Sequence, residues 1–445
     1  MFAQNAASIL PRDPSFLARR MAALGTESAF SVGEDIARCV ARGMDVIRMN
    51  IGEPDADTAP HIAEEAVAQI RRGNTHYVDP QGIPSLRAAI SVHMARTRGL
   101  AVHPDRIVVT TGGKPPIGFA MQAYVDPGDE VIYPSPGFPM YESWATYVGA
   151  TPVPLHLSER DGFSFTADQL EALITPRTKL IIVCSPSNPT GGVLSAEALA
   201  DIAGVIRQRC GPEVRILSDE IYEHIVFDGV VHRSIASEPG MEERTVISSG
   251  HSKGFAMTGW RLGYAVLPTA DEARVFKQLN INTTSCVPAF VQEAGRVALE
   301  SPESAPFVSR MVSTFRDRRD WIVPALNAIP GVSCQNPLGA FYVFPNVSGL
   351  CDALGILSAY DRLPHEARHR TSPSKLLQLF LLYCYGVATI DRRAFGAVGA
   401  DGQHFLRLSI ATPLDRLEEG VARIATAATD TLGFAAFLRE PEAMR

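Results

Sequence analysis

What this sequence lacks narrows its function before any motif is read. Its seven cysteines, at positions 39, 184, 210, 286, 334, 351 and 384, are odd in number and form no CxxC pair. That pattern excludes a disulfide framework and a cysteine-rich zinc site, so no metal is expected and a reducing compartment, the cytoplasm, is. Basic residues are not in excess. The 41 Lys and Arg against 48 Asp and Glu leave a net charge of −7 and no cationic surface for a phosphate backbone. The short basic clusters, Arg392 with Arg393 and the stretch 365–370, read as solvated faces. Long apolar runs are missing too. The oiliest stretch, LLQLFLLYCYGVATI from Leu376, is interrupted by Gln378 and Gly386. It falls short of the ~18 apolar residues of a membrane span and reads as a buried helix running into a strand. The first residues hold no charged segment followed by an apolar one, so no export signal is expected. No GxGxxG opens a helix and no GxxxxGK[ST] loop occurs, which argues against a dinucleotide-binding dehydrogenase and a P-loop enzyme. No helix-turn-helix segment precedes the central region, and neither repeats nor low-complexity tracts are present.

What remains is 445 residues of ordinary globular composition, 46% apolar and 20% charged, enough for more than one domain. The first 30 or so residues read as irregular, followed by a helix over 31–42, a short strand at 46–49 and a Gly-Glu-Pro-Asp turn at 52–55. Helices follow at 63–72 and from Ser85. From Arg106 strands and helices alternate, with strands at 107–110, 130–133, 151–155, 180–184, 215–217 and 245–248. Apolar strands separated by helices imply a mostly parallel sheet covered on both faces. Helices at 275–281, 291–299 and 308–328 close this region. After Gly331 the pattern becomes α+β: strand 340–344, an irregular polar stretch to Ser374, a helix, strands 387–390 and 405–410, and a final helix 414–432. The simplest arrangement is an α/β fold with a large central domain, 59–330, and a small α+β domain built from both chain ends, 1–58 and 331–445.

Ligands of open parallel sheets bind beyond the carboxyl ends of the strands. Three such ends, about one βαβ unit apart, deliver polar groups that should share one crevice. They are Asn188 in SPSNPTGG, Asp219 and Tyr222 in SDEIYE, and Lys253 in SSGHSKGFAMTGWRLGY. A lysine amine can form a Schiff base with a carbonyl, and Arg261, eight residues on, offers a planar fork to a phosphate. A cofactor carrying both an aldehyde and a phosphate would use both, and pyridoxal phosphate is that cofactor. Asp219 at the end of an apolar strand stays ionised only if paired, and a protonated pyridine nitrogen is one partner; a helix cap is the plainer alternative. Asn188 and Tyr222 suit donation to a ring oxygen, although Asn188 before Pro189 is equally a turn pair. TTGGK before a helix, with Gly113 and Lys114, makes an anion cup in which Pro115 and Pro116 contribute no N–H. Phe138 is placed either to stack on a ring or to pack in the core. Arg407 in FLRLSIAT lies in an otherwise apolar strand and needs an anion, either a substrate carboxylate or a structural acid.

Together these motifs resemble the class I/II aminotransferases of the aspartate aminotransferase type, pyridoxal-phosphate fold type I. The resemblance runs from about residue 45 to 426 through NIGEPD, THYVDPQGIPSLRAAI, TTGGK, DPGDEVIYPSPGF, SPSNPTGG, SDEIYE, SKGFAMTGWRLGY and FLRLSIAT. It implies that Lys253 bonds the cofactor, that Asp219 holds its pyridine nitrogen, that Asn188 and Tyr222 hold its ring oxygen, and that Arg261 holds its phosphate. It also implies that Tyr77 reaches the phosphate of a neighbouring subunit, giving a homodimer with shared sites. Gly52 and Arg407 would bind the substrate carboxylate, with Phe138 over the ring. Three departures stand out. Phe138 occupies a position where many members have Trp or Tyr. Gly250 stands where some branches carry a hydroxyl, leaving Ser249 or Ser252 to substitute. The stretch 348–374 is longer and more irregular than usual.

The expected reaction is transamination between an L-amino acid and a 2-oxo acid, with Lys253 moving the proton and Arg407 fixing the carboxylate. A C–S lyase or a decarboxylase on the same fold is the alternative. The substrate side chain is read less directly. His251, Arg392 and Arg393 are candidate second cations, whereas Glu27 and Ser28 in the N-terminal arm would favour uncharged side chains, so aspartate, alanine, branched and aromatic substrates all stay open.

Overall fold

A computed structural model describes residues 16–25 and 28–440. Its strands, in chain order, are β1 (Ile47–Arg48), β2 (Ile107–Thr110), β3 (Glu130–Ser135), β4 (Thr151–His156), β5 (Thr178–Cys184), β6 (Arg215–Asp219), β7 (Thr245–Gly250), β8 (Gly263–Val266), β9 (Tyr342–Val343), β10 (Val387–Ala388), β11 (Ile390–Asp391) and β12 (Leu406–Ser409). Seven of them form one sheet in the order β2-β8-β7-β6-β5-β3-β4. Every pair is parallel except those made by β8, which runs antiparallel to β2 and to β7. The fold is therefore α/β with a mostly parallel central sheet.

The continuous apolar run of β5 follows from burial on both faces. Side chains alternate across a strand. Leu180, Ile182 and Cys184 pack into one layer with Ile117, Met121 and Phe276, while Ile181 and Val183 pack into the opposite layer with Leu199, Ile202 and Ile206. Each fully buried aliphatic side chain there contributes roughly 1.5–3 kcal/mol relative to exposure. Parallel strands all end on the same edge, so this packing places the polar turns after β3, β5, β6 and β7 together.

A second layer joins the two ends of the chain. β1 pairs in parallel with β10 at Ile47↔Val387, and β11-β12-β9 form an antiparallel sheet. Helix Pro373–Tyr385 lies behind them with Leu376, Leu377, Leu379, Phe380 and Leu381 all buried, as expected for the oiliest stretch. No helix among the described residues is long and apolar enough to cross a membrane.

Several sequence expectations are corrected. The stretch 348–374 is not irregular: it holds helices Ser348–Ala353, Ile356–Asp361 and His365–Arg368. At six, six and four residues these helices are too short to display two turns of apolar periodicity. Their buried Leu350, Cys351, Ile356 and Ala359 nevertheless dock on the second layer. The start of the chain is not irregular as far as residue 30, because a 3₁₀ turn occupies Arg19–Ala23 and a helix begins at Ser28. β8 was hidden inside the lysine motif. The final helix is two, Leu414–Ala427 and Thr431–Phe437, since the Asp430 side chain accepts the Gly433 N–H and caps a new start. The run 387–390 divides at Thr389 because β10 and β11 join different sheets. The strand expected at 340–344 shortens to β9, with Ala340 in the left-handed region at φ +56°.

Candidate active site

Asp219 is the last residue of β6 and is 6% exposed. Tyr141 Oη donates to its Oδ2 at 2.6 Å and the Ile221 N–H to its Oδ1 at 3.3 Å. Burial pushes its pKa up to about 6, opposed by the Tyr141 hydrogen bond and by the charge of Lys253. A carboxylate in that position is stabilised by any cation brought against it. Tyr141 is itself fully buried and stays a phenol, held well above its ordinary pKa by desolvation and by Asp219. Phe138 meets Tyr141 edge-on with centroids 5.8 Å apart, so the turn after β3 forms the wall beside Asp219.

Asn188, buried after β5 and preceding a cis proline, offers its Oδ1 to Arg407 Nη1 at 3.0 Å, which leaves its amide N–H₂ as donor. Arg407 comes from β12 of the second layer and is 3% exposed. Its Nη2 donates to the Asn50 carbonyl, and its guanidinium carbon lies 4.4 Å from the Tyr342 ring centroid and 5.0 Å from that of Phe395. No carboxylate among the described residues pairs with it, and its buried Nε has no hydrogen-bond partner among them. A buried guanidinium in this state needs an anion.

Lys253 follows β7 and donates to the Gly52 carbonyl, which brings the Gly-Glu-Pro-Asp turn over the strand ends. Gly52 is required by shape: a Cβ there would lie 1.9 Å from Tyr342 Oη. Substituting Gly52→Ala forces that hydroxyl aside or shifts the turn. The expected outcome is a loss of about 1–3 kcal/mol in urea unfolding together with a higher KM for the amino acid; unchanged values for both would refute the shape argument.

Beside them is the anion cup. Gly113 precedes helix Lys114–Tyr124, and its carbonyl accepts from Ser248 Oγ at 3.2 Å. Arg261, exposed and at φ +55°, lies across the cup with Nη1 donating to the Thr258 carbonyl at 2.7 Å. Its Nη2 sits where a Cβ on Gly112 would be, at 2.3 Å, and Gly112 itself has φ +90°, so only glycine fits. Helix N-terminal amides and a guanidinium thus face one volume, as a phosphate requires. Lys114 Nζ is 5.8 Å from the Phe138 centroid on the same rim.

Other sequence candidates fall elsewhere. Tyr77 is 89% exposed and joins none of these contacts. Ser252 is buried beside Lys253, whereas Ser249, the alternative hydroxyl, is committed to Glu223 Oε1 at 2.9 Å. His251 is no second cation: it is fully buried against the Gly295 carbonyl, and desolvation holds its pKa at about 3. Arg392 is buried in a cage of Gln403, the Gly396 carbonyl and Ser135, and Arg393 is turned to the Thr371 carbonyl. Glu27 and the Ser28 side chain lie outside the described residues. Sequence reasoning missed Tyr141, Asn50 and Tyr342. Tyr141 had a signal, an aromatic three residues after Phe138 in the same PSPGFPMY motif; Tyr342, in the apolar run AFYVF, had none.

The residues present fit pyridoxal phosphate on three counts. Asp219 is a buried carboxylate that a pyridinium would match, the Gly112–Arg261 cup offers glycine backbone and a guanidinium to a phosphate, and the charge of the Lys253 amine is felt at Asp219. Comparison with known proteins agrees. The profile of the family "Aminotransferase class I and II" matches residues 44–424. An aspartate/prephenate aminotransferase of Cereibacter sphaeroides is 38% identical over 411 residues, covering 92% of this chain and 98% of that one. The structure of the aspartate aminotransferase from Rhizobium meliloti superposes with a TM-score of 0.82 at 36% identity, covering 92% and 98% of the two chains. That of the Thermus thermophilus aspartate aminotransferase with maleate gives 0.80 at 33%, covering 92% and 99%. The chain therefore belongs to the class I and II aminotransferases and is a pyridoxal-phosphate-dependent transaminase acting between amino and 2-oxo acids.

Proposed function

We propose that the amino donor is a dicarboxylic amino acid, with L-aspartate first, and that the enzyme works as a cytoplasmic homodimer. The observation that carries the substrate reading is Arg407, buried, without a carboxylate partner among the described residues and with its Nε unsatisfied among them. A substrate α-carboxylate meets that need bidentately. Arg407 then fixes which α-carbon bond faces the cofactor, and Gly52, packed against the Tyr342 hydroxyl, brings its backbone beside the carboxylate. Bound pyridoxal phosphate supplies an aldehyde for Schiff-base formation and a ring that draws electrons from the substrate α-carbon. Asp219 would keep that ring's nitrogen protonated, Asn188 and Tyr222 would donate to its oxygen, and Gly113, Lys114, Ser252 and Arg261 would hold its phosphate. Lys253 would be the base that takes the α-proton of a substrate held by Arg407 and gives it back.

The dicarboxylate preference rests on two supports. Relatives carry the names aspartate and aspartate/prephenate aminotransferase, and one related structure was determined with maleate, itself a dicarboxylate. Lys114 is the cation on the rim beside Phe138, where a second carboxylate would emerge. The test is a spectrum of the loaded enzyme. Adding L-aspartate alone should convert a visible band near ~420 nm to one near ~330 nm, with oxaloacetate released and 2-oxoglutarate restoring the band. A band that persists while pyruvate, ammonia or CO₂ accumulates sinks the transfer reading for this substrate. Substituting Lys114→Met, assayed with the cofactor saturating because the same residue opens the anion cup, should raise KM for aspartate about tenfold and that for phenylalanine much less.

For assembly, the exposed Tyr77, at 89%, and the exposed pair Val67 and Ile70 on helix Pro60–Arg71, at 44% and 48%, support coverage by a second copy. Light scattering of the purified enzyme tests it, and a monomer mass rejects it. The seven free thiols support a reducing compartment.

A further inference from the structure

Tyr342 belongs to neither the lysine motif nor the strand ends, yet it touches three elements of the site. It sits on β9, 1% exposed, paired with Ser409 of β12 two residues from Arg407. Its Oη lies 2.7 Å from Tyr222 Oη, the two rings meeting edge-on with centroids 5.8 Å apart. The same ring carries the Arg407 guanidinium on its face, and its hydroxyl fills the space left by Gly52. Tyr222 is fully buried and stays a phenol, with desolvation as the main cause and Tyr342, Arg407 and Asp219 as the polar and charged groups around it.

A phenol has one proton to donate. If Tyr222 spends its proton on the cofactor's ring oxygen, its own oxygen must accept, and Tyr342 Oη is in position to donate. We propose that Tyr342 is a positioning residue that polarises Tyr222 through this buried hydroxyl pair while its ring supports Arg407, so that one side chain on β9 joins the cofactor's ring oxygen to the substrate-carboxylate site. The proposal rests on the reading that Tyr222 donates to that ring oxygen. A donor whose oxygen accepts a second hydrogen bond is strengthened by polarisation. A stronger donor withdraws charge from the ring oxygen, and the nitrogen that links Lys253 to the cofactor then holds its proton less tightly.

The readout is the pH midpoint at which the visible band of the loaded enzyme changes, recorded without substrate. Tyr222→Phe should raise this midpoint by about 1 pH unit. Tyr342→Phe should raise it by roughly 0.3 pH unit. The double variant should match Tyr222→Phe alone, because the Tyr342 hydroxyl acts only through Tyr222. A shift in Tyr222→Phe with none in Tyr342→Phe, or additive shifts in the double variant, overturns the proposal. No shift in Tyr222→Phe overturns instead the reading of Tyr222 on which it rests. KM supplies the second arm: Tyr342→Phe keeps the ring under Arg407 and should leave KM for the amino acid within about twofold, whereas Tyr342→Leu should raise it about tenfold. Equal KM values for these two variants reject the support of Arg407.

Discussion

Replacing Lys253 by alanine is expected to abolish transamination, with kcat falling at least about 10⁴-fold and the visible band of the covalently loaded enzyme lost. The argument is positional. The Lys253 amine follows β7 beside the carboxyl ends of β5 and β6, donates to the Gly52 carbonyl and lies 5.8 Å from the Phe341 ring centroid. On the proposed reading it would serve both a carbonyl held by Asp219 and the Gly112–Arg261 cup and the α-carbon of an amino acid held by Arg407. The four other lysines, Lys114, Lys179, Lys277 and Lys375, are placed differently. Lys114 opens the cup helix, Lys277 is paired with Asp79 at 2.7 Å, and Lys375 sits beside Ser372 at the start of another helix. Borohydride reduction of the loaded protein followed by peptide mapping should therefore find the cofactor on the peptide containing residue 253 and on no other. Attachment elsewhere, or activity within about tenfold of wild type in Lys253→Ala, would remove Lys253 from the mechanism. Asp219 and Asn188 can be separated from it by the same spectra, because neither bonds the cofactor covalently.

The sequence carried the strand ends well and the supporting shell poorly, for physical reasons. Lys253, Asp219 and Asn188 stand immediately after apolar runs buried on both faces, so local hydrophobicity marks where each run stops and polarity begins. The same logic located Arg407, a charged residue inside an apolar strand. Tyr342 and Tyr141 were invisible because an aromatic in an apolar run reads as core, and only the tertiary contact with Tyr222 or Asp219 distinguishes it. β8 was missed for a related reason. Four residues of Gly-Tyr-Ala-Val hold no periodicity, and the strand exists because it fills the gap between β2 and β7. The assignment of 348–374 as irregular failed on length: short helices leave too few apolar positions for a pattern, although the first two bury Leu350, Cys351, Ile356 and Ala359 on the second layer. His251 shows the opposite error, a polar residue inside the lysine motif that turns toward Gly295 and away from the chemistry.

Stability should be most sensitive to Arg98, a residue that no motif singled out. The end of β6 and its turn send side chains three residues apart to the same side: Asp219 and Tyr222 toward Tyr141 and Tyr342, and Glu220 and Glu223 into the layer beneath. Arg98, at the end of helix Pro84–Arg98, donates from Nε to Glu220 Oε2 and from Nη1 to Glu223 Oε2, each at 2.7 Å, with its side chain fully enclosed. Ser218, Ser234 and His232 complete the shell of Glu220, and Ser249, Tyr264 and His93 that of Glu223. Desolvation alone would raise both carboxyl pKa values. The Arg98 charge and these hydrogen bonds overcome it, holding Glu220 at about 2 and Glu223 well below its ordinary range. Arg98→Ala leaves two buried carboxylates facing each other with no guanidinium, and the expected loss at pH 7.5 is about 3–5 kcal/mol in denaturant unfolding. The pH profile supplies the sign. In the wild type both folded pKa values are depressed, so this stabilisation is present above the unfolded carboxyl pKa near 4.5 and is lost as pH falls toward about 2. In Arg98→Ala the folded pKa values should instead lie above the unfolded ones, so that stability rises as pH falls through them. The gap between the two proteins should therefore narrow from pH 8 to pH 5. A constant gap would assign the loss to packing of the Arg98 stem, and a loss under about 1 kcal/mol would mean that the turn carrying Asp219 and Tyr222 does not depend on this charge.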